Sequence, residues 1–83
     1  MPAPDRLDRV RAIVLQHARL AADPSTVTST SDLYEAGLTS LTTVHLMLAL
    51  EDAFEVEFPD RLLARKTFGS VLAIAEAIEE IEG

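Results

Sequence analysis

The side chain best suited to chemistry in this chain is the hydroxyl of Ser40. It lies in the stretch "EAGLTSLTTVHLMLALE", at the start of an apolar run with helical spacing. At a helix start a hydroxyl can act as an N-cap, worth about 1 kcal/mol. It can also carry a phosphate ester, which the unpaired N–H groups and the positive end of the helix stabilise. The spacing alone favours the cap, although no Glu or Gln follows three residues later to complete a capping box.

Other catalytic arrangements have little support in the sequence. His17 and His45 lie on different predicted helices and lack metal-ligand spacing such as HExxH. On a helix, His45 would be rotated about 140° from Ser40, which argues against a Ser-His pair. The neighbouring carboxylates Glu51 and Asp52 diverge and are interpreted as a solvated surface. We therefore predict a chain that is not an enzyme and holds no metal.

Helical patterns position these residues. Apolar spacing predicts helices over residues 5–20 and 40–54 and a last helix capped by Thr67 or Ser70. The second is apolar over more than half its circumference and is expected to lie centrally. A short third helix is predicted over "DRLLARK", begun by Pro59 and anchored by Leu62 and Leu63.

Residues 21–39 are predicted to form a long loop between the first and second helices. Gly37 suits a turn that needs positive φ, and three apolar residues are expected to pin the loop to the core: Leu33, Tyr34 and Leu38. The predicted fold is an all-α four-helix bundle with three longer helices and one short one, formed as a single domain over residues 1–83.

Composition narrows the function classes. The net charge is −7, and residues 20–60 contain eight acids and no Lys or Arg. This argues against nucleic acid and anionic membranes as partners and favours a basic protein surface, although acidity also simply keeps a small domain in solution. No apolar run is long enough to span a membrane, and the charged, proline-containing N-terminus does not resemble a secretory signal, so we expect neither a membrane span nor secretion. The chain has no cysteine, which fits a reducing cytoplasm. We expect a monomer.

The segment over residues 32–60, "DLYEAGLTSLTTVHLMLALEDAFEVEFPD", resembles the core of acyl carrier proteins. That family has an aspartate–leucine opening, a glycine, a serine followed by leucine, a Val-x-Leu pair, a Leu-Glu step, a phenylalanine and an acidic stretch ending in Ile/Phe-Pro. The matching residues are Asp32-Leu33, Gly37, Ser40-Leu41, Val44 and Leu46, Leu50-Glu51, Phe54, and Glu57-Phe58-Pro59. The flanking predicted helices also fall where that four-helix fold has them.

The resemblance implies that Ser40 is the attachment point for 4′-phosphopantetheine. A separate phosphopantetheinyl transferase would install it from coenzyme A with a divalent metal. The thiol of the arm would hold acyl or aminoacyl groups as thioesters, loaded by an acyl or amino acid ligase and passed to downstream acyl-transfer enzymes. The resemblance also places partner recognition around the start of the second helix, at Thr39, Leu41, Thr42, Val44, His45 and Met47. Val44 and Met47 suit the core equally well.

Three departures from that family indicate unusual partners. Thr39 replaces the aspartate that commonly precedes the serine, and Thr42 and His45 occupy part of a strip that is usually acidic. The segment "RLLARK" is basic where those carriers are acidic, so Arg61 and Arg65, with Lys66, would repel a basic docking patch.

Residues 46–68 look most like stand-alone bacterial carriers outside the main fatty-acid pathway, some of which receive an amino acid from ligases related to class II aminoacyl-tRNA synthetases. We therefore predict a specialised carrier with dedicated partners. Two alternatives are an unmodified acidic helical interaction module and a peptidyl carrier domain of a nonribosomal peptide system.

Overall fold

Three α-helices dominate the computed structural model, which describes residues 2–83: α1 (Pro4–His17), α2 (Ser40–Phe54) and α3 (Val71–Glu82). No strand occurs in that range, so the all-helical class is confirmed. The α2 helix has its predicted bounds. The α1 helix ends earlier than predicted because Arg19, two residues after it, adopts a left-handed conformation with φ 52°.

The predicted short third helix is wrong, and a four-helix bundle is not confirmed. Two 3₁₀ turns, Asp60–Leu62 and Arg65–Phe68, occupy that segment. Leu63 leaves helical geometry with ψ 59°, and its side chain is 48% exposed rather than an anchor. Because the buried side chains of this segment are Thr67 and Phe68, the chain tightens into short turns that bring those residues to the core.

The core forms where α1 packs against both α2 and α3. Fully buried apolar side chains from all three helices fill it, among them Val10, Val14, Leu46, Leu50, Val71, Ile74 and Ile78. Contrary to the predicted central position of α2, only Leu46 and Leu50 of that helix are buried. Of its other large apolar side chains, Phe54 lies under Arg6 and Arg9 of α1, Met47 is partly buried against the core, and Leu41, Val44 and Leu48 are exposed. Among residues 2–83, no helix is long and apolar enough to cross a membrane.

The connection between α1 and α2 contains one 3₁₀ turn, Pro24–Thr26, and is tied down by backbone hydrogen bonds. The N–H of Leu33 donates to the oxygen of Gly69 at 2.9 Å, and the N–H groups of Ala21 and Ala22 donate to Ala36. Leu33 and Leu38 are buried as predicted, while Tyr34 is half-buried. These contacts hold the residues before α2 in place and so set where that helix begins.

Candidate functional site

Ser40 is the first residue of α2, and it is not the cap. Thr39 is the N-cap: its Oγ1 accepts the N–H of Thr42 at 3.2 Å, while the Oγ1 of Thr42 accepts the N–H of Thr39 at 2.9 Å. The role of N-cap that spacing alone favoured for Ser40 is therefore wrong: the capping box forms one residue earlier, where Thr42 takes the place of the glutamate. The Ser40 hydroxyl is exposed and forms no hydrogen bond within residues 2–83.

The helix start around Ser40 favours an anion. The backbone N–H groups of Ser40 and Leu41 donate to no acceptor in the described part of the chain, and the first turn contains no acidic residue. Unpaired N–H groups at a helix N-terminus, together with the helix dipole, stabilise a phosphate group placed there. A phosphate ester on the Ser40 oxygen therefore fits this site.

A turn over residues 33–37 delivers the chain to α2. The carboxylate of Asp32 begins it by accepting the N–H groups of Tyr34 and Glu35 at 2.9 and 3.3 Å. Gly37 ends it with φ +123°, as predicted, and a Cβ there would lie 2.6 Å from the nitrogen of Ala21. The turn thus requires glycine at this position.

A surface groove of about 380 Å³ is lined by Ser40 and other residues of α2 on one side and by residues of the segment 63–68 on the other. Its lining is mostly apolar and includes Val44, Met47, Leu63 and Phe68. Its volume falls near the lower end of the range for small-molecule sites. A cleft therefore separates α2 from the segment that follows it, and it is open to the surface.

Tyr34 and Arg65 form one wall of this groove. The guanidinium carbon of Arg65 lies 3.8 Å from the centroid of the Tyr34 ring, and the Tyr34 hydroxyl donates to the oxygen of Arg65 at 2.8 Å. Partial burial raises the pKa of the Tyr34 phenol, while the positive charge of Arg65 opposes this shift. The pair joins the turn before α2 to the segment after it.

An unpartnered apolar stripe follows α2 away from Ser40. Leu41, Val44 and Leu48, which we call the α2 stripe, are spaced i, i+3 and i+7 and are 48–67% exposed. His45 is exposed beside it, and Met47 is half-buried against the core. Leu48 was missed at the sequence level because its spacing suits a buried face equally well.

The remaining candidates have mainly structural contacts. Arg61 donates to the carboxylate of Glu80 at 2.6 Å, whereas Arg65 stacks on Tyr34. Glu51, interpreted as a solvated side chain, instead accepts the N–H of Phe58 at 2.8 Å. No cluster of His, Asp and Glu suitable for a metal occurs in residues 2–83. Among the site residues, Ser40 is thus the one with an exposed hydroxyl that forms no hydrogen bond in residues 2–83.

Comparison with known proteins assigns the family. The model of the family described as "phosphopantetheine attachment site" matches residues 8–78. The chain belongs to this family of phosphopantetheine carriers. Its members carry a prosthetic group and do not themselves catalyse a reaction. The presence of an attachment site for phosphopantetheine in this carrier follows from the match.

Individual relatives indicate which kind of carrier this chain resembles. The carrier is 43% identical over 72 residues to an aminoacyl carrier protein of Agrobacterium fabrum, with 87% of each chain covered. It also matches a chain in the crystal structure of an engineered Bradyrhizobium japonicum glycine:[carrier protein] ligase complexed with carrier protein from Agrobacterium tumefaciens and ATP. That match has a TM-score of 0.85 at 41% identity and covers 92% of this chain and 99% of the other.

In a second solved structure the carrier protein is glycylated. That structure is the Bradyrhizobium japonicum glycine:[carrier protein] ligase complexed with glycylated carrier protein. The match has a TM-score of 0.72 at 31% identity and covers 88% of this chain and 97% of the other. The carrier described here is thus similar, over most of its length, to chains from two glycine:[carrier protein] ligase assemblies, in one of which the carrier is glycylated.

Proposed function

We propose that this carrier is an aminoacyl carrier protein that bears 4′-phosphopantetheine on Ser40. The observation that carries the proposal is the Ser40 hydroxyl: it is exposed, forms no hydrogen bond in residues 2–83 and stands at a helix start without nearby carboxylates. Because Thr39 and Thr42 satisfy the cap between them, Ser40 can be esterified without loss of a structural hydrogen bond.

The arm supplies a terminal thiol, which this sequence lacks because it contains no cysteine. The residues of the chain have simpler tasks in the proposal. The Ser40 hydroxyl loses its proton and its oxygen joins the phosphorus, while the pyrophosphate P–O bond of coenzyme A breaks and adenosine 3′,5′-bisphosphate leaves. The N-terminal N–H groups of α2 stabilise the resulting phosphodiester charge. A phosphopantetheinyl transferase is the enzyme that this reaction requires, and coenzyme A is its source of the arm.

The proposed cargo is an amino acid, and the proposed loading partner is an ATP-dependent amino acid ligase. The support is the similarity to an aminoacyl carrier protein and to chains from glycine ligase complexes. Residues 1–83 form one carrier domain in this proposal. Its location is cytoplasmic, because the transferase and the ligase draw on coenzyme A and ATP. Downstream acyl-transfer enzymes remove the cargo.

The proposed docking surface for these enzymes is the α2 stripe together with its neighbours. Leu41, Val44 and Leu48 present apolar area that nothing in residues 2–83 covers. The other predicted partner residues border it as N-cap, helix and rim positions: Thr39, Thr42, His45, Met47, Arg61 and Arg65. Apolar side chains ringed by polar ones are the usual composition of a binding hot spot.

Intact mass measurement tests the attachment. The purified apo-protein is incubated with coenzyme A and a broad-specificity transferase, and one phosphopantetheine is expected to add. Ser40→Ala is expected to abolish the gain, whereas Ser25→Ala, at another exposed serine in a helical first turn, retains it. Absence of any gain in the wild type would instead favour an unmodified interaction module. The protein that bears phosphopantetheine is then incubated with glycine, ATP and the Bradyrhizobium ligase, and a second gain in mass reports aminoacylation.

A further inference from the structure

The groove beside Ser40 has an uneven distribution of charge. Most of its lining is apolar, and among the described residues that line it Arg65 alone is charged. Ser40 belongs to this lining and stands at a helix start whose first turn has no carboxylate. A negative group on the Ser40 oxygen therefore meets one side-chain charge across the groove, and that charge is positive.

Arg65 is held in place without using its hydrogen-bond donors. Its guanidinium lies over the Tyr34 ring at 3.8 Å, and Tyr34 is itself fixed because its hydroxyl donates to the backbone oxygen of Arg65. Stacking occupies the face of a guanidinium and leaves its N–H groups, which radiate in the plane, available. The order of the side chain is thus provided by an aromatic contact.

Among residues 2–83 Arg19 also donates to no acceptor, but it stacks on no ring and does not line the groove. The other four arginines use their guanidinium groups within the chain. Arg6 and Arg61 pair with Glu82 and Glu80, and Arg11 donates to two backbone oxygens. Arg9 stacks on a ring as Arg65 does, but it also donates to the oxygen of Ala53. The Arg65 guanidinium donates to no acceptor and pairs with no carboxylate in residues 2–83. Its charge and its donors are free for a ligand.

We propose that Arg65 is the intramolecular counter-ion of the phosphodiester on Ser40 and a positioning residue for the arm, an inference that rests on the proposed attachment at Ser40. Guanidinium groups bind phosphate oxygens through charge-assisted, often bidentate hydrogen bonds. Contact with Arg65 draws the phosphate toward the groove, so that the first part of the arm runs along Val44 and Leu63. Arg65, in the basic segment "RLLARK", thereby pairs with the phosphate of the prosthetic group on its own chain.

Nuclear magnetic resonance of arginine side chains tests this on the unaltered protein. Samples without and with phosphopantetheine on Ser40 are first verified by intact mass, and the Nε–Hε signals are then compared. Loading is expected to shift the Arg65 signal and slow its exchange with water. The Arg61 signal is the internal control and is expected to stay in place, because Arg61 remains paired with Glu80.

Three variants at matched positions extend the test. In loaded Arg65→Gln the phosphorus resonance is expected to move, and the contacts between arm protons and the Val44 and Leu63 methyls to weaken about two- to fivefold, as expected for a partly exposed charge pair. Arg61→Gln leaves both readouts unchanged. Arg65→Lys partly restores them, because it keeps the charge and loses the planar fork. Salt at about 1 M narrows the difference between wild type and Arg65→Gln.

The outcomes separate this inference from the proposed function. No mass gain on the wild type overturns the attachment at Ser40 itself. A normal mass gain with an unmoved Arg65 signal, and the same phosphorus resonance in Arg65→Gln, overturns the role of Arg65 alone. An Arg65 signal that moves only when the ligase is added also overturns it, because the guanidinium then meets a partner enzyme and not the phosphate.

Discussion

Thr39 and Thr42 cap the start of α2 for each other, each hydroxyl accepting the backbone N–H of the other residue, at 3.2 and 2.9 Å. The usual capping box pairs a hydroxyl residue with Glu or Gln. Here a second threonine does the same while adding no negative charge to the first turn. Ser40, which lies between the two threonines in sequence, therefore has no capping role. It lies at a helix N-terminus, where a phosphate group is stabilised.

Removal of the cap is expected to destabilise the fold more than removal of the Ser40 hydroxyl. Thr39→Ala should lower the free energy of unfolding by about 1 kcal/mol because a backbone N–H loses its acceptor. Thr42→Ala should act similarly, and the double variant should cost less than the sum because the two share their hydrogen bonds. Ser40→Ala should stay within about 0.5 kcal/mol of wild type. Urea unfolding of the apo-proteins measures all four.

An equal loss of stability in Ser40→Ala and Thr39→Ala would show that the serine does contribute to the cap. The transferase reaction provides the complementary readout on the same samples. Thr39→Ala is expected to retain the phosphopantetheine mass gain, because the Ser40 oxygen is still present. Ser40→Ala is expected to lose that gain completely.

Gly37 is expected to be the least replaceable residue of the turn before α2. Its φ of +123° disfavours any L side chain, and a Cβ would lie 2.6 Å from the backbone nitrogen of Ala21, which is itself hydrogen-bonded to the oxygen of Ala36. Gly37→Ala should therefore cost at least about 2 kcal/mol of unfolding free energy. Gly69→Ala is the matched control: Gly69 has φ −73°, so a much smaller loss is expected in the same urea experiment. Equal losses would refute the backbone argument.

The sequence predicted well those features that depend on neighbours along the chain. Periodicity placed α2 at its observed bounds, Ser70 was a named candidate for the cap of α3, and the positive φ of Gly37 follows from its residue type and position. The resemblance to carriers also singled out Ser40 by its local motif, and its role as the attachment point stays a prediction. Local hydrogen bonds and side-chain spacing determine these features, so they can be read without the tertiary structure.

Features that depend on distant contacts were not predictable in the same way. The spacing of α2 gave it apolar residues around most of its circumference, and only the packing of α1 across it decides that Leu46 is buried while Leu48 is exposed. The 3₁₀ turns arise because Thr67 and Phe68 reach the core. Tyr34 and Arg65 stack although 31 residues separate them in sequence. Periodicity carries no information about such pairs.

Alkaline pH is expected to weaken the fold through Tyr34. Burial raises the pKa of its phenol above the unfolded value, so the stabilisation is complete below the unfolded pKa, about 10. This stabilisation is lost as the pH rises from the unfolded pKa through the higher folded pKa, because the unfolded chain releases the proton while the native state still binds it. Tyr34 is the one tyrosine in the sequence, so phenolate absorbance during an alkaline titration reports its pKa directly.

Tyr34→Phe separates ionisation from the hydrogen bond. The variant should lose about 1 kcal/mol at neutral pH because the oxygen of Arg65 loses its donor. Above about pH 10 the free energy of unfolding of the variant should also decline less than that of the wild type, because the variant has no phenol to ionise. A phenol that titrates at or below its unfolded value in the native wild type would disprove the burial effect.

The α2 stripe is expected to serve binding and not stability. Leu41→Ala and Leu48→Ala remove exposed apolar area, so the free energy of unfolding should change by less than about 0.5 kcal/mol. The kcat/KM of the loaded carrier with glycine, ATP and the Bradyrhizobium ligase should fall about fivefold or more if these side chains anchor the complex. Glu76→Ala, at an exposed position of α3, should leave that kcat/KM unchanged.

The core residue Leu46 completes this test of the α2 stripe. Leu46→Ala is expected to cost about 2–5 kcal/mol of stability because its side chain is fully buried. Stripe variants that unfold as readily as Leu46→Ala would mean that Leu41 and Leu48 pack against the core in solution. Full ligase activity in Leu41→Ala and Leu48→Ala, with unchanged stability, would instead remove the α2 stripe from the docking surface and leave the arm itself as the part that the ligase recognises.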